Sequence, residues 1–127
     1  MPFSALSGRR VLVIEDEIMV SWLLEDMLAG LGCAVVGPAM RISQALAIID
    51  TENIDAAVLD VNLNGEKSYR VADALAAHGV PFTFSSGYTR DTLPVAYQNV
   101  AMLHKPFKRS DLGDMLGKLL SLNVPND

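Results

Sequence analysis

Acidic side chains collect at two places in this sequence, and each place directly follows a short apolar run. Glu15-Asp16-Glu17 follow Val11–Ile14, and Asp60 closes a second apolar run. If both runs are neighbouring parallel strands, these carboxylates lie within several Å of one another. Two such charges ~5 Å apart repel by about 3 kcal/mol at an effective dielectric near 20. A cluster of this kind requires a cation, a buried lysine or shifted pKa values.

Two later apolar runs end in groups of complementary chemistry. Ser85 and Ser86 follow one run, and Lys105 follows the next. An oxygen-only donor set favours a hard ion, and carboxylates and water beside a phosphate favour Mg²⁺ over Ca²⁺. Carboxylates, a hydroxyl and an ammonium group together are what is needed to hold a phosphoryl group on an oxygen nucleophile.

Each of these signals has a simpler interpretation when it is taken alone. An acidic triplet is typical of a solvated helix start, where negative charge suits the helix dipole. A single Asp at a strand end is typical of a turn or helix cap, and neither a serine nor a Lys-Pro pair is informative by itself. The placement of all four at the ends of consecutive apolar runs favours one shared site.

The elements that position these residues alternate between strand and helix patterns. This alternation predicts an α/β fold, a doubly wound parallel sheet that binds ligands at the carboxyl ends of its strands. The predicted strands are Val11–Ile14, Ala34–Val36 (closed by Gly37-Pro38), Asp55–Asp60, Val80–Phe84 and Ala101–Leu103. The predicted helices run from Ile18 to a stop at Gly30 and Gly32, from Ser43 as N-cap through Ile49, from Glu66 to His78, and from about Asp111 to Leu122 with Ser110 as N-cap. Between Tyr88 and Asn99, Pro94 and a polar run predict a fourth helix that is short or irregular.

The first helix carries apolar residues on two faces. Ile18 and Trp22 lie about 150–170° from the predicted core stripe at 100° per residue. We expect them to form a docking surface, unless the N-terminal segment of the chain covers them. The predicted core stripe is Val20, Leu23, Leu24, Met27, Leu28 and Leu31.

Length and composition restrict the classes of protein that this chain can belong to. With 127 residues the chain predicts one domain, and its single cysteine, Cys33, excludes an internal disulfide or a cysteine-based zinc site. The net charge of −5 argues against direct DNA binding, which needs a positive surface. No apolar run reaches the ~18 residues of a transmembrane helix, and the N-terminus lacks a secretory signal. We therefore expect a cytoplasmic domain that does not bind a membrane.

Four segments resemble the signatures of the bacterial response-regulator receiver domain, in the same order and over about residues 9–122. The segments are Val11-Leu-Val-Ile-Glu-Asp-Glu17, Leu59-Asp-Val-Asn62, Ser85-Ser86-Gly87 and His104-Lys-Pro-Phe107. The segment Pro81–Tyr88 is also similar to the Pro-Phe-x-Phe-Ala-Thr-Gly-Tyr segment of the alphaproteobacterial FAT GUY single-domain receivers, with Ser85-Ser86 in place of Ala-Thr. The resemblance implies a flavodoxin-like five-stranded sheet of order 2-1-3-4-5 with five surrounding helices.

The resemblance also implies roles for the acidic residues. Asp60 matches the aspartate that accepts a phosphoryl group, and Asp16 matches the carboxylate that binds Mg²⁺ directly. Glu15 matches its neighbour, which in the family often acts through water. The backbone carbonyl of Asn62 is expected to complete the protein's share of the metal shell.

The remaining implied roles concern the phosphoryl oxygens and the partners. Ser86, five residues after Pro81, matches the hydroxyl that bonds one phosphoryl oxygen, and Lys105 matches the lysine that pairs with another. The implied phosphoryl donor is a sensor histidine kinase or a histidine phosphotransfer protein, and the downstream protein is unknown. The domain is expected to be no enzyme beyond assisting its own Mg²⁺-dependent phosphorylation and autodephosphorylation.

The chain departs from common receivers in three ways, and two of these, Met102 and the irregular fourth helix, change the expected switch. The loop after Asn62 lacks the usual Met-Pro, and Met102 stands where many receivers have a rotating aromatic residue. We therefore expect Ser86 to draw in the loop carrying Tyr88 on phosphorylation, in an order–disorder transition.

Two other functions compete with a stand-alone phosphorylated switch, in which residues 1–127 form a single receiver domain without an output domain. One is a pseudo-receiver that binds partners without taking up phosphate. The other is a small flavodoxin-like enzyme, although the acidic triplet after the first strand would repel a flavin phosphate unless a cation intervened.

Overall fold

A computed structural model describes residues 6–87 and 93–120, and these ranges form one parallel sheet with helices on both faces. The sheet order is β2-β1-β3-β4-β5, which confirms the predicted doubly wound fold. Its strands are β1 (Arg10–Ile14), β2 (Ala34–Ala39), β3 (Ala56–Asp60), β4 (Phe82–Ser86) and β5 (Ala101–His104). The α-helices of the described ranges are α1 (Ile18–Gly30), α2 (Ile42–Thr51), α3 (Tyr69–Ala77) and α4 (Arg109–Leu120).

Two apolar clusters, one on each face, hold the sheet between its helices. One joins the sheet to α2 and α3, and the other joins it to α1 and α4. Every residue of β3 is buried, as expected for the central strand of a sheet that is covered on both faces. This packing fixes where the strands end, and therefore where their terminal side chains meet.

The strand β2 is longer than the sequence predicted. Gly37 and Pro38 were expected to end it, but the strand continues through them to Ala39. The pairing with β1 shifts by one residue there, from Leu12 opposite Val36 to Ile14 opposite Ala39. Gly37 has a φ of 89°, and a proline is tolerated because β2 lies at the edge of the sheet. The Gly-Pro pair forms a bulge, and the prediction of a strand end was wrong.

The third predicted helix starts three residues too early. Instead of helix from Glu66, the chain forms an antiparallel hairpin that pairs Asn62–Leu63 with Glu66–Lys67, and α3 begins only at Tyr69. Asn64 and Gly65 form its turn, with φ angles of 52° and 83°. Asn-Gly is the preferred pair for a two-residue hairpin turn, because both residues tolerate positive φ.

Two other helices begin earlier than predicted, and in each a side chain of the first turn accepts the N–H of a residue just before the helix. α2 starts at Ile42 rather than after Ser43, and the side chain of Gln44 accepts the backbone N–H of Met40 at 2.9 Å. α4 starts at Arg109 rather than after Ser110. In the second case the Asp111 carboxylate accepts the Lys108 N–H at 2.9 Å. The predicted end of the last helix, Leu122, lies outside the described residues.

The strand β4 is shifted two residues towards its carboxyl end relative to the prediction Val80–Phe84. The Val80 N–H bonds the carbonyl of Leu75 and so completes the end of α3, and pairing with β3 begins at Phe82. The shift places both Ser85 and Ser86 inside the strand.

The buried face of α1 is rotated relative to the predicted stripe. Ser21 is buried beside Leu24 and Leu28, whereas Leu23 is 55% exposed. Including Leu23 in the core stripe was wrong, because helical periodicity alone could not distinguish it from its apolar neighbours. Ile18 and Trp22 are 52% and 62% exposed, as predicted for the outer face.

The connection between β4 and β5 has little helix in its described part. Val95–Tyr97 form one 3-10 turn, in agreement with a short or irregular fourth helix. The Tyr97 ring stacks on Tyr69 at a centroid distance of 4.7 Å, and its hydroxyl donates to Asp73 of α3 at 2.7 Å.

Throughout the described ranges, every helix is too short or too polar to span a membrane.

Candidate functional site

Three carboxylates meet at the carboxyl end of the sheet, where the sequence predicted them. Glu15 follows β1, Asp16 is next to it, and Asp60 ends β3, the neighbouring strand. Each offers one oxygen, and these oxygens all lie within 4.8 Å of one another. Glu15 is completely buried and Asp60 is 7% exposed, so water screens these charges poorly.

Lys105 bridges two of these carboxylates. Its Nζ donates to Glu15 Oε1 at 2.9 Å and to Asp60 Oδ2 at 3.0 Å. The side chain reaches this position from the residue after β5, which the backbone bond from Lys105 N–H to the Ser86 carbonyl holds against β4. One ammonium therefore serves a cluster of three acids.

The pKa values of this cluster follow from burial and mutual contact. Burial and then the neighbouring Asp60 carboxyl raise the pKa of Glu15 from 4.5 to about 7, against the opposing effect of Lys105. Burial alone would lower the pKa of Lys105, but its bonds and charge pairing with Glu15 and Asp60 outweigh this and raise it. The metal-free cluster is thus short of positive charge.

A surface cavity of about 380 Å³ opens over the cluster. Ser86 lines it, whereas Ser85, which pairs in register with Asp60, does not. The Ser85 hydroxyl is buried and has no hydrogen-bond partner among the described residues. The cavity lining brings together five of the six predicted site residues, all but Glu15, and adds Glu17 and Gly87; the five are Asp16, Asp60, Asn62, Ser86 and Lys105.

Hydrogen bonds from Ser68, Asn62 and Asn64 hold the acidic residues of the cluster in place, and of these three donors only Asn62 was predicted from the sequence. The buried hydroxyl of Ser68 donates to the backbone carbonyl of Asp60 at 2.6 Å, and the Asn62 N–H donates to Asp60 Oδ1 at 3.1 Å. The Asn64 N–H donates to Asp16 Oδ2 at 2.8 Å. The Asn64-Gly65 pair was a recognisable hairpin signal. No sequence signal marked Ser68.

The expectation of an order–disorder switch involves Met102 and Tyr88. Met102 is buried on β5 and packs in the cluster on the α2 and α3 face. Tyr88 lies outside the described residues, so the expected order–disorder transition stays a prediction.

Comparison with known proteins identifies the family. The profile described as "Response regulator receiver domain" matches residues 11–117, most of the chain. The chain belongs to the response-regulator receiver family. It is therefore a signal-transduction domain of the two-component type, as its four motifs predicted.

Several related proteins resemble this receiver over most of its length. The solution structure of SdrG from Sphingomonas melonis Fr1 is 40% identical, covers 91% of this chain and 98% of its own, and has a TM-score of 0.79. A structure of the BeF3-activated conformation of SdrG from Pseudomonas melonis Fr1 is 38% identical, with coverages of 90% and 98% and a TM-score of 0.79. The transcriptional regulatory protein PdtaR of Mycobacterium tuberculosis is 30% identical over 108 residues, which are 82% of this chain and 53% of PdtaR. The receiver thus spans about half the length of the curated relatives that it matches.

Membership of this family indicates what an acidic cluster of this kind generally binds. Receiver domains are signalling modules rather than enzymes, and they generally bind Mg²⁺ at an acidic cluster such as Glu15, Asp16 and Asp60. The donor set fits this ion, since Mg²⁺ is bound in proteins by one or two carboxylates and several waters.

The raised pKa of Glu15 predicts how the stability of the metal-free receiver depends on pH. A carboxyl with a higher pKa in the folded state than in the unfolded state contributes stability below about pH 4.5, which is lost as the pH rises through about 7. Glu15→Gln cannot titrate, so we expect its free energy of unfolding to gain about 1–3 kcal/mol relative to the wild type between these limits. Denaturant unfolding in a chelator at pH 4.5 and pH 8 measures this difference. Parallel pH profiles of the two proteins would contradict the assignment.

Proposed function

We propose that this receiver accepts a phosphoryl group on Asp60 from a histidine kinase or histidine phosphotransfer protein, and then signals by binding a partner or relaying the phosphate. The main support is the bridge from Lys105 to Asp60 and Glu15 beneath a cavity that Ser86 also lines. A nucleophilic carboxylate, an ammonium and a hydroxyl thus face one open space. We also assign the domain to the cytoplasm, without membrane or direct DNA binding.

The proposed metal shell uses the residues that the sequence selected. Asp16 and Asp60 would bind Mg²⁺ through carboxylate oxygens, Glu15 would act through water, and Asn62 would contribute its backbone carbonyl. When bound, Mg²⁺ supplies positive charge to the phosphoryl oxygens during transfer. Its positive charge would also offset the mutual repulsion of the Glu15, Asp16 and Asp60 carboxylates.

In the transfer step, this chain's residues mainly position and stabilise the reacting groups. A carboxylate oxygen of Asp60 forms the new P–O bond as the P–N bond of the donor phosphohistidine breaks, and the electron pair of that bond stays on the imidazole nitrogen. Lys105 neutralises one phosphoryl oxygen, and the Ser86 hydroxyl donates to another. The Asn62 N–H and the Ser68 hydroxyl hold the Asp60 side chain and backbone in place.

A related structure supports the idea that such a site responds to a phosphoryl group. The BeF3-activated conformation of SdrG belongs to a protein 38% identical to this receiver over 90% of its chain. Beryllofluoride resembles a phosphoryl group in shape and charge. We therefore extend to this receiver the proposal that phosphorylation changes its conformation.

The phosphoryl donor is proposed to dock in the α1 groove, a groove lined by α1 and by the residues that follow β5. This groove of about 390 Å³ is mostly apolar, and Lys105 and Glu17 line both it and the cavity over Asp60. A helix seated in the α1 groove therefore lies next to the acceptor carboxylate, where its histidine can reach Asp60. Beside the groove, α1 exposes Ile18, Met19 and Trp22, while the partly exposed Leu23 lines the groove itself.

The first test of the proposal is phosphorylation of the isolated chain. With Mg²⁺ and a small phosphodonor such as acetyl phosphate, we expect intact mass to show one added phosphate, absent in Asp60→Asn. The amide keeps the shape of the carboxylate but is a far weaker nucleophile. A wild-type chain that takes up no phosphate would instead favour the pseudo-receiver, and equal uptake by Asp60→Asn would place the phosphate elsewhere.

The two adjacent serines provide a matched pair of variants. Ser86→Ala should slow phosphorylation by the small donor by about 10–100-fold, because a hydrogen bond to a charged group is lost from the transition state. Ser85→Ala should leave the rate unchanged, since the Ser85 hydroxyl does not line the cavity. Initial rates followed by intact mass measure both, and a loss confined to Ser85→Ala would reverse the assignment.

The α1 groove predicts that docking and chemistry can be separated. Trp22→Ser and Ile18→Ser should lower kcat/KM for transfer from a histidine kinase or phosphotransfer protein, by about 30-fold for the tryptophan if it is a binding hot spot. Phosphorylation by acetyl phosphate should stay unchanged. Val95→Ser removes an exposed apolar side chain that belongs neither to α1 nor to the groove, and it should affect neither reaction. Equal losses in both reactions would show misfolding, and no loss in either would exclude this docking surface.

A further inference from the structure

The hairpin after β3 makes a direct contact with the metal-binding end of β1. The Asn64 N–H donates to Asp16 Oδ2 at 2.8 Å, and the Asn64 side-chain amide donates to the Met40 carbonyl at 3.1 Å. Asn64 thus connects the segments that follow β1, β2 and β3. This contact orients a carboxylate of the acidic cluster before any metal arrives.

The contact depends on a backbone conformation that few residues adopt. Asn64 has a φ of 52°, in the left-handed region, and Gly65 follows with 83°. Asparagine tolerates this region, whereas a β-branched residue is strongly disfavoured there. A substitution at position 64 can therefore displace the N–H from Asp16 without touching any ligand of the proposed metal site.

We propose that this hairpin is a metal-selectivity clamp, in which the Asn64 N–H makes Asp16 a one-oxygen ligand and so favours Mg²⁺ over Ca²⁺. The proposal rests on the magnesium site of the proposed function and adds a positioning residue to it. A hydrogen bond to Oδ2 fixes the plane of the carboxylate and weakens that oxygen as a donor. Mg²⁺ needs near-ideal octahedral geometry, whereas Ca²⁺ accepts two-oxygen carboxylates and irregular shells. Fixing one oxygen of Asp16 therefore raises the affinity for Mg²⁺ more than the affinity for Ca²⁺.

Two substitutions at one position test the clamp. Asn64→Val disfavours the left-handed turn, and we expect its Mg²⁺ affinity to fall about tenfold, as when an outer-shell partner is lost, while its Ca²⁺ affinity changes much less. Asn64→Gly keeps both the turn and the N–H but loses the bond to Met40. Its Mg²⁺ affinity should stay within about threefold of the wild type. Calorimetric titration of each protein with Mg²⁺ alone and with Ca²⁺ alone gives the ratio of affinities.

Hydrogen exchange tests the contact without any metal. In the chelated wild type the Asn64 amide should exchange slowly, and in Asp16→Ala about tenfold faster, because the acceptor is gone. Unchanged exchange would overturn the clamp, even if Asn64→Val failed to fold.

The results separate the clamp from the proposed function. Equal losses of Mg²⁺ and Ca²⁺ affinity in Asn64→Val would overturn selectivity, and unchanged Mg²⁺ affinity would overturn the clamp as a whole. Both results are compatible with normal Mg²⁺-dependent phosphorylation of the wild type, so the proposed function would stand. A wild type that bound no Mg²⁺ would overturn the metal site and the clamp together.

Discussion

The bridge from Lys105 to Glu15 and Asp60 is the interaction on which the rest of the site depends. The lysine belongs to the end of β5, yet its ammonium bonds carboxylates at the ends of β1 and β3, on the far side of β4. It can do so only because parallel strands in this order end at the same edge. The apolar packing on both faces of the sheet therefore sets the geometry of a wholly polar site.

Even with this bridge, the site carries more negative than positive charge when its acids are ionised. When all three acids are ionised, one ammonium faces three carboxylates, and two like charges 4.8 Å apart repel by about 3–4 kcal/mol at an effective dielectric near 20. The metal-free protein relieves this repulsion in part by protonating Glu15, whose pKa is raised to about 7. A divalent cation relieves it without a proton. The burial that holds the acids together thus makes the cluster a favourable place for a cation, as in receiver domains generally.

The sequence pattern was sufficient for the doubly wound parallel sheet and for the meeting of its strand-end side chains, while the strand order came from the resemblance to receivers. Buried apolar runs identify parallel strands, and the polar residues that end them must meet at one edge. The errors lie where the pattern is weak. Leu23 on α1 could not be distinguished from its buried neighbours by period alone, and the bulge at Gly37 requires knowledge of how β2 pairs with β1.

Contacts through the backbone were the least predictable part of the site. Asn64 reaches Asp16 with its N–H, which every residue but proline possesses, so its side-chain type did not indicate the contact. Ser68 bonds the Asp60 carbonyl only because the hairpin brings it back beneath β3. Both contacts depend on the conformation of the loop after β3, and only its Asn64-Gly65 turn can be recognised from the sequence.

Shared lining residues connect the cavity over Asp60, where we propose the phosphoryl chemistry, to the α1 groove, where we propose that the donor docks. Lys105 and Glu17 face both the cavity over Asp60 and the α1 groove, whereas Ile18 and Trp22 lie on the outer face of α1 and do not line the cavity. Lys105 and Glu17 would be constrained by the proposed reaction, since any change in them alters the charge around Asp60. Ile18 and Trp22 could change with the partner and leave the cavity over Asp60 unaltered. Under the proposed function, donor specificity could therefore vary on the outer face of α1 while the site around Asp60 stays constant.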